Sequence, residues 1–385
     1  MRMKIAIASL AAMLSCPALA QNAYVVGITA ALTGPPASTY APAMEALRIY
    51  IDRVNAGGGV NGKQINLVVL DDSAEPSKAA ANMKRLTSQD DAVLLINASL
   101  SSTYAPTIAE AKRAGIPLLF AGGVCPKEVY PPADPLQFCT TAYAANFDSR
   151  GALTFVKENA KGDVSLGLAA MAIPLSRGEM EYAQKIAPEF GFKVAGLEVI
   201  PPPTPDYTPF ATKIKEAGAN WTFSWAPWVT QVRTLEALRR LDWQGDYLTW
   251  AHLEAEGELL RLKDPKLNVI GANSLYQDNL PIHQEIREAV KKAGAKYPAE
   301  QMSEGWIAGM VIEAAMRGVK DAPTPAKVQE SMSNLKVDLK GLRGGPIEWT
   351  KDNHFRTKQF YRVYRWDPAK NAIAVAKDWY SYDVK

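Results

Sequence analysis

Two apolar stretches near the start decide the fold class: Tyr-Val-Val-Gly-Ile at residues 24–28 and Gln-Ile-Asn-Leu-Val-Val-Leu at residues 64–70. Continuous apolar runs rich in β-branched residues are typical of strands that are buried on both faces of a parallel sheet. Residues 38–56 between them have a helical pattern, which supplies the crossover that two parallel strands require. The stretch therefore predicts a β-α-β unit.

The same alternation continues along the chain. Further apolar runs begin at Ala92 and Ile116, with helical patterns at 74–90 and 102–114. After Asn146 the alternation restarts, and we expect strands that begin at Asp163, Phe192, Trp221 and Asp246. The sequence predicts an α/β fold with two doubly wound parallel-sheet lobes.

The last third of the chain does not repeat this pattern. Helical patterns run from 280 to about 295 and from 300 to 318 without strands of their own. Residues 346–349, 359–366 and 372–379 alternate as short strands, and we expect them to extend the second sheet. We assign 21–143 plus 275–343 to the N-terminal lobe and 144–274 plus 344–385 to the C-terminal lobe. Three hinge crossings would join the lobes, near residues 140–146, 271–276 and 341–346.

The first twenty residues have the pattern of a signal peptide. Arg2 and Lys4 precede the apolar run 5–14, and Ala18-Leu19-Ala20 fits a signal peptidase site. We predict cleavage after Ala20 and a periplasmic location. The alternative is a lipoprotein box at Leu14-Ser15-Cys16, with Cys16 acylated.

The charges of the chain nearly cancel, because 43 Lys and Arg face 40 Asp and Glu without a basic cluster. This balance argues against a nucleic-acid partner. The three histidines, His252, His283 and His354, lack metal-ligand spacing, and the Gly57–Gly59 run follows a helix instead of a strand. We predict no enzyme activity, no cofactor and no metal site.

Cleavage after Ala20 would leave two cysteines, Cys125 and Cys139. In an exported chain we expect them to form a disulfide, and the alternative is two buried thiols.

Several motifs carry a resemblance to a known family. They are residues 26–35 (Val-Gly-Ile-Thr-Ala-Ala-Leu-Thr-Gly-Pro), 55–63 (Asn-Ala-Gly-Gly-Gly-Val-Asn-Gly-Lys), 70–72, 101–103, 114–117 and 345–349 (Gly-Pro-Ile-Glu-Trp). The chain resembles type I periplasmic solute-binding proteins of the leucine/isoleucine/valine-binding family. The resemblance implies a monomer whose two lobes close over a small ligand and deliver it to the membrane permease of an ATP-driven importer.

The loops that follow the strands are the expected binding loops. Ser99, Ser101 and Ser102 stand at a helix start, where free N–H groups and hydroxyls can hold a ligand carboxylate; capping of the helix is the alternative. The resemblance places Gly122 and Gly123 in the next binding loop. Val124 there replaces the threonine or serine that amino-acid binders often have.

Arg177 stands where the resembled family has a tyrosine at the start of a helix. An arginine facing the cleft can clamp a ligand carboxylate or pair with an acid of the first lobe. The alternative is a solvated arginine on the surface of the helix.

Aromatic residues cluster after two strands of the second lobe. Trp225 and Trp228 are predicted to flank a flat or apolar ligand, and Tyr40 can add to them from the first lobe. Trp250 is followed by His252 and Glu254, which we include in the predicted site. Glu254 lies near the position of the family's ammonium-binding acid, and a surface helix charge is the alternative.

We therefore predict an importer subunit for a small carboxylated ligand with an aromatic or apolar body, such as an aromatic acid. One alternative is a protein that binds an apolar amino acid. Another is a periplasmic ligand sensor that docks on a membrane receptor.

Overall fold

The computed structural model describes residues 23–141, 143–202, 204–252 and 254–384. The predicted signal peptide, its cleavage site and Cys16 lie outside these ranges. The strands are β1 (Ala23–Ala30), β2 (Gln64–Asp71), β3 (Leu94–Ala98), β4 (Leu118–Phe120), β5 (Gln137–Cys139), β6 (Ser165–Met171), β7 (Lys193–Ile200), β8 (Trp221–Ser224), β9 (Asp246–Trp250), β10 (Leu267–Gly271), β11 (Lys336–Val337), β12 (Ile347–Glu348), β13 (Lys358–Asp367) and β14 (Ala372–Asp383). The helices are α1 (Ala37–Ala56), α2 (Pro76–Ser88), α3 (Tyr104–Ala114), α4 (Phe147–Asn159), α5 (Pro174–Ile186), α6 (Thr208–Glu216), α7 (Trp228–Arg240), α8 (Ala255–Leu262), α9 (Pro281–Ala293), α10 (Ser303–Arg317) and α11 (Pro325–Met332).

Two large sheets organise these elements, and both confirm the predicted α/β class. The first sheet is wholly parallel, in the order β2-β1-β3-β4-β5. The second has the order β14-β13-β10-β9-β8-β6-β7, with β13 and β14 antiparallel at one edge. The strand order reverses at β1 in the first sheet and at β6 in the second. This is the doubly wound arrangement, in which the carboxyl ends of the strands form a ligand crevice at the reversal.

Helices α1 and α10 make a close contact over the first sheet. A Cβ on Gly305 of α10 would lie 1.7 Å from the carbonyl oxygen of Ala43 in α1, and a Cβ on Gly309 would lie 2.5 Å from Cδ1 of Tyr50. The two glycines therefore let the helix backbones approach. This packing confirms that the late helices cover a sheet formed by the first part of the chain.

The expectation that residues 346–349 extend the second sheet is wrong. Strand β12 pairs antiparallel with β11, outside both large sheets. Ile347 and Trp349 are buried in the core of the first lobe, and the Trp349 ring lies 5.0 Å from that of Phe138. A short alternating pattern fits any half-buried strand, so it does not specify which sheet receives it. Strands β13 and β14 do extend the second sheet, as predicted.

The structure joins Cys125 to Cys139 by a disulfide with an Sγ–Sγ distance of 2.06 Å, which confirms the predicted pair. Both residues are buried. The disulfide ties the loop after β4 to the end of β5, directly before the first crossing segment.

Candidate functional site

A cavity lies between the two lobes at the carboxyl ends of both sheets. It has a volume of about 450 Å³, part of which opens to solvent. Its walls come from loops that follow β1, β3, β4, β5, β6, β8 and β9. They comprise Thr39, Tyr40, Leu100, Ser101, Gly122, Gly123, Val124, Tyr143, Ile173, Leu175, Ser176, Trp225, Ala226, Pro227, Trp250 and His252.

Aromatic rings form much of the cavity wall. Tyr40 comes from the first lobe, Tyr143 from the first crossing, and Trp225 and Trp250 from the second lobe. The Trp225 indole Nε1 donates a 2.9 Å hydrogen bond to the buried Asp148 carboxylate, which fixes the ring in place. The ring of Trp250 stands edge-on to that of Tyr143 at 5.6 Å between centroids. The cavity is thus shaped by rings that are held rigidly.

His252 is held in one neutral form. Its Nε2 lies 2.9 Å from the Ala226 carbonyl oxygen, which only accepts hydrogen bonds, so Nε2 carries the proton. Its Nδ1 then accepts a hydrogen bond from the Tyr143 hydroxyl at 3.3 Å. Burial lowers the pKa of His252 to about 4, and the hydrogen bond to Ala226 opposes this only in part. His252 therefore presents no positive charge to the cavity near neutral pH.

The first lobe presents hydrogen-bond donors to the cavity. Ser101 Oγ accepts a hydrogen bond from the Leu175 backbone N–H at 3.3 Å, which leaves its own O–H free. Among the described residues, the backbone N–H groups of Gly122 and Gly123 have no hydrogen-bond acceptor. A Cβ on Gly123 would lie 2.6 Å from the Tyr104 hydroxyl, so glycine permits this close loop.

Two of the predicted serines lie away from these cavity walls. Ser99 is fully buried, and its hydroxyl donates a 2.7 Å hydrogen bond to Asp72. Ser102 borders a wider neighbouring cavity of the cleft, whose lining combines proline and apolar residues with polar ones such as Ser73, Glu75 and Thr204. Neither Ser99 nor Ser101 caps the helix start with its side chain.

Arg177 does not face the cleft. Its side chain is 62% exposed on α5, and its Nε donates a 2.7 Å hydrogen bond to Glu181, one helical turn further on. The physical reason is the helix phase: Ser176, not Arg177, is directed inward, where its hydroxyl donates to the Trp225 carbonyl oxygen.

Trp228 and Glu254 also lie outside the cavity wall. Both border a neighbouring polar recess between the lobes. The Trp228 ring packs edge-on to His252 at 6.2 Å. Glu254 Oε1 accepts a 3.1 Å hydrogen bond from the hydroxyl of Thr39, which belongs to the cavity wall, whereas Glu254 itself lines the recess.

Several wall residues were not among the predicted site residues. They are Thr39, Leu100, Val124, Tyr143, Ile173, Leu175, Ser176, Ala226, Pro227 and Trp250. Tyr143 lies in the first predicted crossing, and crossing segments border an interlobe cleft, so its position was an available signal. Leu175 and Ser176 directly precede Arg177, and no feature of the sequence showed which of these three side chains turns toward the cleft.

The cavity wall contains no acidic residue, lysine or arginine among the described residues. Its polar groups are hydroxyls, the neutral His252 and backbone N–H groups. Such a wall can bind a carboxylate or another hydrogen-bond acceptor, but it offers no carboxylate to an ammonium group. The described residues also contain no cluster of three or more His, Cys, Asp or Glu that could hold a metal ion.

Comparison with known proteins identifies relatives of the whole chain. A Pseudomonas aeruginosa protein named "Amino acid binding protein" is 24% identical over 358 residues, which cover 89% of this chain and 90% of that protein. A Thermus thermophilus branched-chain amino acid ABC transporter structure with bound valine has a TM-score of 0.81 at 16% identity, covering 94% of this chain and 97% of that one. An R. palustris solute-binding protein in complex with benzoate has a TM-score of 0.78 at 16% identity, covering 92% and 96%. These two structures share the fold.

In the part of the chain that the structure describes, no helix has the length and apolar character needed to cross a membrane. The family model for periplasmic binding proteins matches residues 23–372. The match includes the first sheet, the second sheet up to the start of its edge strand β14, and every element that contributes to the cavity wall. The chain therefore belongs to the periplasmic binding protein family.

Proposed function

We propose that this protein is the extracytoplasmic solute-binding subunit of an ABC importer, and that it captures a small carboxylate with an aromatic or apolar body. The uncharged, donor-bearing cavity between the lobes carries this proposal. Ligand capture closes the lobes, and the closed form docks on the membrane permease. The fold supports capture without catalysis.

The first lobe supplies the proposed carboxylate contacts. Among the described residues, the Ser101 hydroxyl and the backbone N–H groups of Gly122 and Gly123 are donors without acceptors, and all three belong to first-lobe residues of the cavity wall. Backbone N–H groups can stabilise an anion without a cationic side chain. The rings of Trp225 and Trp250 then enclose the rest of the ligand and favour a flat body.

An apolar amino acid is the second candidate. The name of the 24% identical relative favours it. An amino acid would have to place its ammonium group in a wall without a carboxylate, because Glu254 lines the neighbouring recess and is not part of the cavity wall. The unpaired buried charge would cost several kcal/mol, so the geometry favours a ligand without an ammonium group.

A thermal-shift panel followed by calorimetry tests the proposal. We expect benzoate and related aromatic acids to raise the Tm and leucine or valine to leave it unchanged. A ligand at one hundred times its Kd should stabilise the fold by about 2.7 kcal/mol. A response to leucine but not to aromatic acids would establish the amino-acid alternative instead.

Two variants sharpen this test. Ser101→Ala removes one proposed carboxylate donor and should weaken benzoate binding about tenfold or more, in line with about 1.5–3 kcal/mol for a hydrogen bond to a charged group. Arg177→Ala is the matched control and should bind like the wild type. Equal affinity of Ser101→Ala and wild type would contradict the proposed carboxylate site.

A further inference from the structure

Glu254 makes a polar contact between the lobes. It directly precedes α8 on the second lobe, and its Oε1 accepts a 3.1 Å hydrogen bond from the Thr39 hydroxyl of α1 on the first lobe. Its Oε2 is buried without a hydrogen-bond partner among the described residues. The contact lies beside the ligand cavity, since Thr39 borders the cavity and Glu254 borders the adjoining recess.

This contact requires closed lobes. Helix α1 packs in the first lobe against α10, whereas α8 packs against β13 and β14 of the second sheet. The Leu175 N–H to Ser101 Oγ hydrogen bond also crosses the lobes, on the cavity side. Rotation about the hinge would separate both pairs and would expose the Glu254 carboxyl to water.

Glu254 has no cationic partner in the part of the chain that the structure describes. On its own element, Arg261 forms ion pairs with Glu258 and with Glu236 of α7. Arg233 of α7 is also paired with Glu236. Further titratable neighbours among the described residues are Tyr40 of α1, Tyr143 of the first crossing and His252. Burial shifts the pKa of each of them toward the neutral form.

Burial and solvent exposure thus give this carboxyl two different proton affinities. In the closed form, burial is the largest cause that raises the pKa of Glu254 to about 7, and Glu258 adds to it. The hydrogen bonds from its own backbone N–H and from the Thr39 hydroxyl oppose this rise. In open lobes the exposed carboxyl would have the ordinary value of about 4.3.

We propose that Thr39 and Glu254 form an interlobe latch, and that closure of the lobes takes up a proton on Glu254. The latch acts on ligand affinity from the edge of the cavity, because Thr39 belongs to the cavity wall and Glu254 to the adjoining recess. It rests on the proposed function only in that closure serves ligand capture.

The sign of the effect follows from linkage. Because the closed form has the higher pKa, protonation favours closure; this contribution is full at low pH and is lost as the pH rises through about 7. With these two pKa values, the closed-to-open ratio should fall about tenfold between pH 6 and pH 8.

Single-molecule fluorescence energy transfer on the ligand-free protein tests the latch. Dyes on Lys84→Cys in α2 and Lys185→Cys in α5 place one exposed label on each lobe, while Cys125 and Cys139 remain in their buried disulfide. In the wild type we expect the closed-to-open ratio to fall about tenfold between pH 6 and pH 8. In Glu254→Gln we expect this ratio to be independent of pH. Glu258→Gln, one turn away, is the matched control and should keep the pH dependence.

Thr39→Val provides a second variant if Glu254→Gln does not fold. It removes the latch donor and should lower the closed-to-open ratio at pH 6. A wild-type ratio that is equal at both pH values, or a pH dependence that persists in Glu254→Gln, would overturn the proposal.

Isothermal titration calorimetry with benzoate distinguishes a failure of the latch from a failure of the proposed function. In buffers of different ionisation enthalpy, benzoate binding at pH 7 should take up about half a proton in the wild type and none in Glu254→Gln. Absence of benzoate binding would count against the proposed ligand class, whereas the ligand-free measurement would still decide the latch.

Discussion

At the residue scale, His252 illustrates how the tertiary contacts fix the chemistry of one side chain. A carbonyl oxygen on one ring nitrogen and a tyrosine hydroxyl on the other select a single neutral tautomer. The sequence predicts that His252 belongs to the site, but no feature of the sequence specifies whether its ring is neutral or positively charged near neutral pH.

The lowered pKa of His252 predicts acid sensitivity. Because the folded state disfavours the charged ring, the stabilisation is present above the unfolded pKa of about 6.5 and is lost as the pH falls toward the folded value of about 4. We expect His252→Gln to remove about 2–3 kcal/mol of the pH-dependent change in unfolding free energy between these values.

Urea unfolding at a series of pH values measures this effect. His283 and His354 also have lowered pKa values, so a smaller acid dependence should remain in the variant. Parallel pH profiles of the wild type and His252→Gln would contradict the prediction.

Arg177 gives the opposite lesson at the same scale. Its pair with Glu181 has the i, i+4 spacing of exposed helix pairs. This spacing is visible in the sequence and indicates an exposed Arg177 side chain. The resemblance, by contrast, places Arg177 at a tyrosine position that faces the cleft. Local helix geometry decided the outcome.

At the element scale, the contact of α1 with α10 depends on the lack of a side chain at Gly305. A Cβ there would meet backbone atoms of Ala43, which cannot move aside as a flexible side chain can. We expect Gly305→Ala to destabilise the protein by about 3 kcal/mol or more, because the helices must separate.

Gly257→Ala in α8 is the matched control. A Cβ at Gly257 would have no atom within 4 Å, so this substitution should stabilise the protein by about 0.5–1 kcal/mol through helix propensity. Urea midpoints of the two variants should therefore move in opposite directions. A stable Gly305→Ala protein would show that the two helices are not tightly constrained.

At the scale of the whole molecule, a buried polar network joins two crossing segments to the first lobe. Glu304 at the start of α10 pairs with Arg343 of the third crossing, and both side chains are 1% exposed. Asn273 of the second crossing donates a 3.2 Å hydrogen bond to the same carboxylate. The network therefore holds the hinge at a defined position.

We expect Arg343→Met to cost about 3–5 kcal/mol of unfolding free energy, because it leaves the buried Glu304 charge unpaired. The double variant Arg343→Met/Glu304→Gln should lose less, since no charge remains buried. Arg233→Met breaks an exposed pair and should change the unfolding free energy by less than about 1 kcal/mol. Equal losses for Arg343→Met and Arg233→Met would contradict a structural role of the hinge pair.

The sequence by itself determined the α/β class, most strands of both sheets and the cysteine pair, because apolar runs, helical periodicity and cysteine parity are local or countable properties. It did not indicate the short strand β5 or strand β10. It did place Ser101, Gly122 and Trp225 after strands, where the structure has the cavity wall. Only the tertiary structure decided that Ile347 and Trp349 belong to the first lobe, that Ser99 is bonded in the core, and that Glu254 bonds to Thr39 from the neighbouring recess. The reason is physical: a buried polar group or a short strand pairs with a partner from a distant part of the chain. The local sequence pattern around it does not encode which distant residue that partner is.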